Sequence, residues 1–387
     1  MTKEEALQNK IKAQKLGVDL WFAYECIGSL VWATGVGKSK AAIDCIKQLL
    51  GVNPGYKGLL VTPTEEMRDN DWPLEFSKWE LDITNLKLIC YASLGKEDLD
   101  DYDYVVYDEI HKLTTPNLIK LKKKMSFGGI KALGLTATFP VAHFEEDKER
   151  VDLLTSLVPP IYTIKTDEAV DQGLIADFEV RVLKFKLDNV TRNVPCGTKK
   201  NEMRTEAEHY AKLTKRMQFA VMNKSEGLKF MMISKRAQLL YNLPSKLSLA
   251  KVVMDKMCKG KRTLIFAGSI DQANELCGDQ VYHSKSDDTY LIKFQNEEID
   301  KLGAVKALNE GKNFNNLEQE LIVQIDGVDR NLVQRIGRCV RIRYDNMSFK
   351  ALIVILVAMG TADEKWYKLS KKSFETSRIK EYIVSPN

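Results

Sequence analysis

Short apolar runs alternate with helix-period stretches along the first half of the chain. Ser29 to Ala33 is an apolar-rich run that predicts a buried strand. A Gly-rich turn follows it, and from Ser39 to Leu50 apolar residues recur at helical spacing. Gly58 to Val61, Leu86 to Tyr91, Tyr104 to Tyr107 and Ala132 to Leu135 predict four further strands. Strands interleaved with helices need crossover connections, so the sheet they form is expected to be parallel. Pro159-Pro160 closes this block. Phe178 to Leu187 alternates like a strand and opens a second one, followed by a helical stretch from about Glu202 to Lys256. Thr263 to Ala267, Gln280 to Tyr282, Leu321 to Ile325 and Ala351 to Val357 predict its remaining strands. The expected organisation is α/β: a first domain over 1–165, a linker over 166–177, and a second domain over 178–387 with a helical segment at about 200–258. A length of 387 residues suits two domains. No internal repeat or low-complexity segment interrupts the pattern.

Composition changes this picture little. Hydrophobic residues are 44% and charged residues 29% of the chain, as in ordinary globular proteins. No apolar run approaches the roughly 20 residues that span a bilayer, so no membrane is expected. The charged start, Met1 to Lys15, carries no signal-peptide core. Seven scattered cysteines form no C-x-x-C pair, which points away from zinc or a disulfide framework and towards a reducing cytoplasm. Net charge is only +5, but from Thr198 to Arg262 there are 16 Lys or Arg against 5 Asp or Glu. That run is either a solvated lysine-rich helical face or a surface for a phosphate backbone.

The chemistry concentrates at two strand ends. Ala33-Thr34-Gly35-Val36-Gly37-Lys38-Ser39 follows a predicted strand and opens a predicted helix. Gly35 and Gly37 allow backbone N–H groups to turn towards phosphate oxygens, Lys38 can reach the β and γ phosphates, and the Ser39 hydroxyl can ligate Mg²⁺. Thr34, Gly35, Val36, Gly37, Lys38 and Ser39 are therefore candidate nucleotide-binding residues. Trp32 stands where the general phosphate-loop pattern has its first glycine. Asp108-Glu109-Ile110-His111 follows the run Tyr104 to Tyr107, and ligands of parallel sheets collect at the carboxyl ends of strands. Asp108 suits a Mg²⁺ site, and Glu109 suits a general base that polarises a water.

With these two motifs in place the sequence resembles superfamily 2 helicases and translocases of the DExH branch. Val61-Thr62-Pro63-Thr64 is similar to that family's motif Ia, Thr136-Ala137-Thr138 to motif III, and Leu264-Ile265-Phe266-Ala267-Gly268-Ser269 to motif IV. Ala307 to Asn313 resembles motif V, and Gln334-Arg335-Ile336-Gly337-Arg338-Cys339-Val340-Arg341 resembles motif VI. The resemblance implies two RecA-like domains in tandem with ATP in the cleft between them. Asp108, Glu109, His111, Gln334, Arg338 and Arg341 would be the catalytic residues, with the two arginines acting on the γ phosphate. Gly311 and Asn313 would face the nucleotide, Asn313 standing where relatives often have Asp. Thr136 and Thr138 would couple nucleotide state to the acidic box. Thr62, Pro63, Thr64 and Ser269 would track the nucleic-acid backbone. No clear adenine-reading glutamine motif precedes the phosphate loop. The stretch Arg236 to Lys246 looks more like DNA translocases than RNA helicases of the DEAD type.

The expected function is an ATP- and Mg²⁺-dependent motor on DNA, whether single-stranded, duplex or branched, with RNA the lesser candidate. It is expected to act as a monomeric, DNA-stimulated ATPase that separates or anneals strands. A duplex translocase that never separates strands is the alternative within enzymes. A P-loop kinase, a nucleotide switch, or a module that uses ATP only to clamp are readings from other classes.

Overall fold

A computed structural model describes all residues except 143–144, 197–201, 306–313, 315, 326–328, 374–376 and 386–387. The chain divides into two compact units, Met1–Ala176 with Val340–Phe349, and Asp177–Cys339 with Lys350–Asn387. Residues 166–176, expected as linker, therefore fold with the first unit and carry a helix, Thr166–Asp171. So does the segment Val340–Phe349, which begins with the last two residues of motif VI: Ala176 N–H donates to the Val340 carbonyl at 2.9 Å.

The first unit holds six strands: β1 (Ile27–Trp32), β2 (Gly58–Thr62), β3 (Leu86–Cys90), β4 (Tyr104–Asp108), β5 (Lys131–Thr136) and β6 (Pro160–Ile164). They form one parallel sheet in the order β3-β2-β4-β5-β1-β6. β1, β2 and β4 are buried almost throughout, as strands covered on both faces must be. Its helices are α1 (Lys3–Ala23), α2 (Lys38–Val52), α3 (Trp72–Lys78), α4 (Tyr91–Leu94), α5 (Thr115–Phe127), α6 (Glu145–Leu157) and α7 (Thr166–Asp171). α2 buries Ala41, Ala42, Ile43, Cys45, Ile46 and Leu49. A second apolar cluster joins Leu118 and Leu121 of α5 and Leu154 of α6 to Val105 and Tyr107 of β4. β6, not anticipated, is an edge strand, where the prolines at its start cost no ladder bond. α1, also not anticipated, starts on a capping box in which Thr2 and Glu5 exchange side-chain and backbone bonds.

The second unit has a seven-stranded parallel sheet in the order β11-β12-β10-β13-β14-β7-β15. These are β7 (Asp177–Phe185), β10 (Thr263–Phe266), β11 (Val281–His283), β12 (Lys301–Val305), β13 (Gln319–Ile322), β14 (Lys350–Ala358) and β15 (Ile379–Ile383). Two short antiparallel strands, β8 (Val194–Pro195) and β9 (Met203–Arg204), stand apart from it. The helices are α8 (Glu206–Met222), α9 (Glu226–Tyr241), α10 (Pro244–Val253), α11 (Ile270–Cys277), α12 (Thr289–Gln295), α13 (Asp329–Cys339) and α14 (Ala362–Ser373). The fold is thus α/β with two parallel-sheet units, as the periodicity implied. Among the described residues no helix is long and apolar enough to cross a membrane.

Candidate nucleotide site

The candidate phosphate loop occupies the turn between β1 and α2. Gly35 has φ +96° and Gly37 φ +104°, a region where a side chain is strained. A Cβ on Gly37 would also lie 2.2 Å from Gln14 Nε2. Gly37 is the N-cap of α2 and makes no side-chain cap, so the first turn of α2 presents backbone donors and positive partial charge. Lys38 Nζ donates to the Trp32 carbonyl at 2.9 Å. Burial lowers the Lys38 pKa, against the pull of Glu109 and Asp108. A phosphate oxygen would be a stronger acceptor than that carbonyl.

α1 braces this loop from outside. Lys10 Nζ donates to the Gly35 carbonyl at 3.0 Å, and Gln14 Nε2 to the Val36 carbonyl at 3.1 Å. Neither residue was singled out by the sequence; only the fold brings them to a loop more than twenty positions away. Lys10 is pushed down to about 8 by burial, then by Arg341 and Lys78, with Glu75 opposing. Arg341 is itself lowered by burial, against Glu75 and Asp71. The motif VI resemblance placed Arg341 in the second domain. It belongs instead to the first unit, because the chain leaves α13 at Val340 and runs back along Ala176. Lys10, Lys78 and Arg341 thus share a neighbourhood with Glu75 and Asp71, and Lys78 pairs with Glu75 at 3.5 Å.

The acidic box begins at the end of β4. Asp108 is 8% exposed, and its Oδ2 accepts the Trp72 indole N–H at 3.0 Å. The Tyr91 hydroxyl donates to the Asp108 carbonyl at 2.9 Å. Trp72, from α3, is another positioning residue that periodicity did not reveal. Glu109 adopts a left-handed conformation, φ 56° and ψ 58°, at the head of the 3₁₀ turn Ile110–Lys112. Such backbone costs about 1–3 kcal/mol in a non-glycine residue, and it turns the carboxylate out of the strand line. Glu109 Oε2 lies 3.1 Å from Thr136 Oγ1 and 3.3 Å from His111 Nδ1. Burial works to raise the Glu109 carboxyl, but the hydrogen bond to His111, the charges of His111 and Lys38, and the Thr136 hydroxyl hold it down, at about 2.

Thr136, fully buried at the end of β5, is the hub of this cluster. Its Oγ1 lies 3.0 Å from His111 Nδ1 and 3.0 Å from the Thr138 carbonyl, and it accepts the Thr138 N–H at 3.2 Å. One hydroxyl hydrogen cannot serve Glu109 and the Thr138 carbonyl together. The expected coupling residues therefore meet the acidic box through a proton that has two destinations.

Asp108, Glu109, His111, Lys38, Thr136 and Thr138 lie together. Other expected residues lie elsewhere. Thr62 is fully buried, and its hydroxyl faces the Thr64 and Ile89 carbonyls at 3.1 and 3.2 Å, so a backbone-tracking contact would require those bonds to break. Pro63 and Thr64 are half-buried in the bend after β2, and Thr64 Oγ1 accepts the Met67 N–H. Ser269 caps α11, its Oγ accepting the Gln272 N–H at 3.2 Å and donating to Asn242 Oδ1 at 3.4 Å. Gln334 and Arg338 lie on α13 of the second unit, where Arg338 is 6% exposed and Arg335 Nη1 donates to the Gln324 carbonyl at 3.0 Å. Gly311 and Asn313 lie outside the described residues.

The donor set fits a magnesium nucleotide. Among the described residues no cluster of three or more His, Cys, Asp or Glu could hold a metal alone. Mg²⁺ usually takes one or two carboxylates and completes its shell with water and phosphate oxygens. Asp108 and Ser39 could supply those protein ligands.

No family model matches the chain, and no curated protein matches it either. Solved structures do. The chain is similar to the ATP-dependent Type ISP restriction-modification enzyme LlaBIII bound to DNA, with 14% identity and TM-score 0.58 over 96% of this chain. It spans only 31% of that enzyme's chain. A fragment described as an HsdR subunit of a type I restriction enzyme from Vibrio vulnificus YJ016 matches at 16% identity and TM-score 0.58, covering 97% of this chain and 68% of that one. The Pyrococcus furiosus Hef helicase domain matches at 14% identity and TM-score 0.51, covering 92% and 97%. What the chain shares with these regions is the fold, α/β with two parallel-sheet units.

Proposed function

Starting from a superfamily 2 helicase-like fold, we propose that this chain is an ATP-driven motor on DNA that couples hydrolysis to strand separation or annealing. The observation that carries the reading is the meeting of Lys38, Asp108, Glu109, His111 and Thr136 beside a loop with two left-handed glycines. Each has one task. Lys38 would exchange the Trp32 carbonyl for a β or γ phosphate. Ser39 and Asp108 would hold Mg²⁺, which when bound spreads the charge of the phosphates. Glu109 would orient the attacking water and take its proton, and His111 and Thr136 keep its carboxylate ionised and aimed. Gln334, Arg338 and Arg341 carry the side-chain donors for charge that develops on the γ phosphoryl group.

DNA is favoured as the track because one similar structure is DNA-bound and two belong to restriction enzymes. Those restriction enzymes also favour the second reading, translocation along duplex DNA without strand separation. An ATPase assay with single-stranded DNA, duplex DNA and RNA in parallel, run beside a strand-displacement assay, tests both. Stimulation by DNA with displacement supports a helicase, and stimulation by duplex without displacement supports a translocase. Turnover indifferent to every nucleic acid overturns the motor. Arg341→Ala should bind ATP and lose up to roughly 10³-fold of DNA-stimulated turnover; wild-type turnover in that variant would remove Arg341 from the site.

A further inference from the structure

The stretch Arg236 to Lys246, which the proposed hydrolysis leaves without a task, ends on a lysine that no solvent reaches. Lys246 is fully buried in the first turn of α10. That is the positive end of the helix dipole, the unfavourable end for a cation. Glu206 of α8, also fully buried, fixes this turn: it accepts the Ser245 N–H at 2.8 Å and the Ser245 hydroxyl at 2.6 Å. Lys246 Nζ donates to Asp363 Oδ2 at 2.6 Å and to Gln324 Oε1 at 2.7 Å. Asp363 is fully buried in the first turn of α14, and its Oδ1 accepts Gln324 Nε2 at 2.8 Å. Stability alone explains such a triad poorly, because well-packed apolar residues of similar volume often stabilise as much as a buried ion pair.

The triad gathers at the carboxyl edge of three neighbouring parallel strands, the edge where such sheets carry their sites. Gln324 lies just past β13, and Asp363 follows β14. Gly268, just past β10, leaves room for it: a Cβ there would lie 2.9 Å from Gln324 Cγ. Gln324 is the residue being held. Its Oε1 faces the ammonium and its Nε2 the carboxylate, so reversing the amide would set like against like. Nε2 also donates to the Ile325 carbonyl at 2.7 Å. Every side-chain contact of Gln324 therefore restrains the chain at Gln324 and Ile325.

What that restraint serves is seen from the other side of the same residue. The main-chain carbonyl of Gln324 accepts Arg335 Nη1 at 3.0 Å, and the Arg335 guanidinium lies 4.9 Å from the Phe266 ring centroid at the end of β10. Arg335 is thus engaged both through its planar fork and through its face. It stands on α13 beside Gln334 and one turn before Arg338. A helix turns about 100° per residue, so Gln334 and Arg338 lie about 100° and about 60° to the same side of Arg335. Fixing Arg335 therefore fixes the rotation of α13 about its axis and the direction of both other side chains. We propose that Lys246, Asp363 and Gln324 are positioning residues for motif VI: they hold Arg335, and through the rotation of α13 they aim Gln334 and Arg338 at the γ phosphoryl group. The inference rests on the motor reading and deepens it, since it ties the Arg236 to Lys246 stretch to hydrolysis.

The test uses the whole chain and two routes to the same loss. Gln324→Met removes the held amide and leaves Lys246 on Asp363, while Lys246→Met/Asp363→Leu removes both charges at similar volume. Urea unfolding shows which variants are folded, and steady-state kinetics with DNA present separates kcat from KM for ATP. Either variant should unfold cooperatively and keep its KM, while kcat falls roughly 10–10²-fold, the scale of a small misplacement of reacting groups. Arg335→Met should lose a similar factor. Because the residues act along one route, adding Arg335→Met to Gln324→Met should cost little more, whereas independent effects would multiply. Wild-type kcat in folded Gln324→Met, or in the folded double variant, overturns the proposal. So does a raised KM at unchanged kcat, and so do losses that multiply with Arg335→Met. Wild type that hydrolyses no ATP, with or without nucleic acid, would bring down the motor reading and this one with it.

Discussion

Replacing Thr136 by valine isolates the hub of the acidic cluster, because valine keeps the shape and deletes only the hydroxyl. No cavity opens, so every effect traces to hydrogen bonds. Glu109 loses a donor at 3.1 Å, and the half-buried Thr138 N–H loses its acceptor at 3.2 Å. A bond to a charged group contributes about 1.5–3 kcal/mol, and an orphaned buried amide costs about 1–3 kcal/mol. Because the Thr138 amide is near the surface and can recruit water, a total destabilisation of about 2–4 kcal/mol is expected at neutral pH. The pH dependence has a definite sign. Glu109 is held at about 2, below an ordinary carboxyl, by a balance in which burial opposes and His111, Lys38 and Thr136 prevail. Its stabilisation is therefore complete above the ordinary carboxylate range and is lost as pH falls through the folded value. Without the Thr136 hydroxyl that folded value should rise by roughly one to two pH units. The acid limb of ATP turnover should move up by the same amount, while nucleotide affinity near neutral pH changes little. The assays are urea unfolding at about pH 7 and about pH 3, and turnover across that range. An unfolding midpoint and an acid limb both identical to wild type would refute the claim that Thr136 holds Glu109.

Three further outcomes are expected. Glu109→Gln should bind ATP and lose roughly 10²–10⁴-fold in turnover, read by single-turnover kinetics beside nucleotide affinity. Gly37→Ala should unfold at lower temperature, by about 1–3 kcal/mol, and weaken nucleotide binding, since its Cβ meets Gln14 Nε2 at 2.2 Å on a φ of +104°. Lys246 is fully buried, donating to Gln324 at 2.7 Å and Asp363 at 2.6 Å; Lys246→Met should cost about 3–5 kcal/mol in chemical denaturation, and Lys246→Met/Asp363→Leu should recover much of it.

Most strands of both sheets were legible because parallel strands covered on two faces are largely apolar; β12, five residues that include Lys301 and Gly303, is too short a run to stand out. The elements that escaped have opposite reasons. α1 buries three small residues, Ala6, Ala13 and Gly17, and has Val18 and Trp21 only near its end, so it leaves a weak periodic signal. β15 is an edge strand with mostly exposed residues, and β6 opens on proline. At the candidate site, the residues proposed to carry the chemistry were legible because they sit within a few positions of their own strand end. Their supports were not: Lys10, Gln14 and Trp72 reach the loop or Asp108 across 25, 22 and 36 positions of chain. No local pattern encodes such an encounter. Arg341 shows the same limit, since its motif is continuous in sequence while its contacts lie with the earlier part of the chain.

That return of Val340–Phe349 to the first unit bears on how the protein can be made and divided. During synthesis, the first sheet can assemble once Ile164 has left the ribosome, but Ala176 must wait for Val340 until nearly the whole second unit has been translated. A gene fragment ending at Ala176 would encode every strand of the first sheet and omit the arginine that neighbours Lys10. Supplying Val340–Phe349 as a separate peptide, or splicing it behind Ala176, is therefore the natural route to an autonomous first unit.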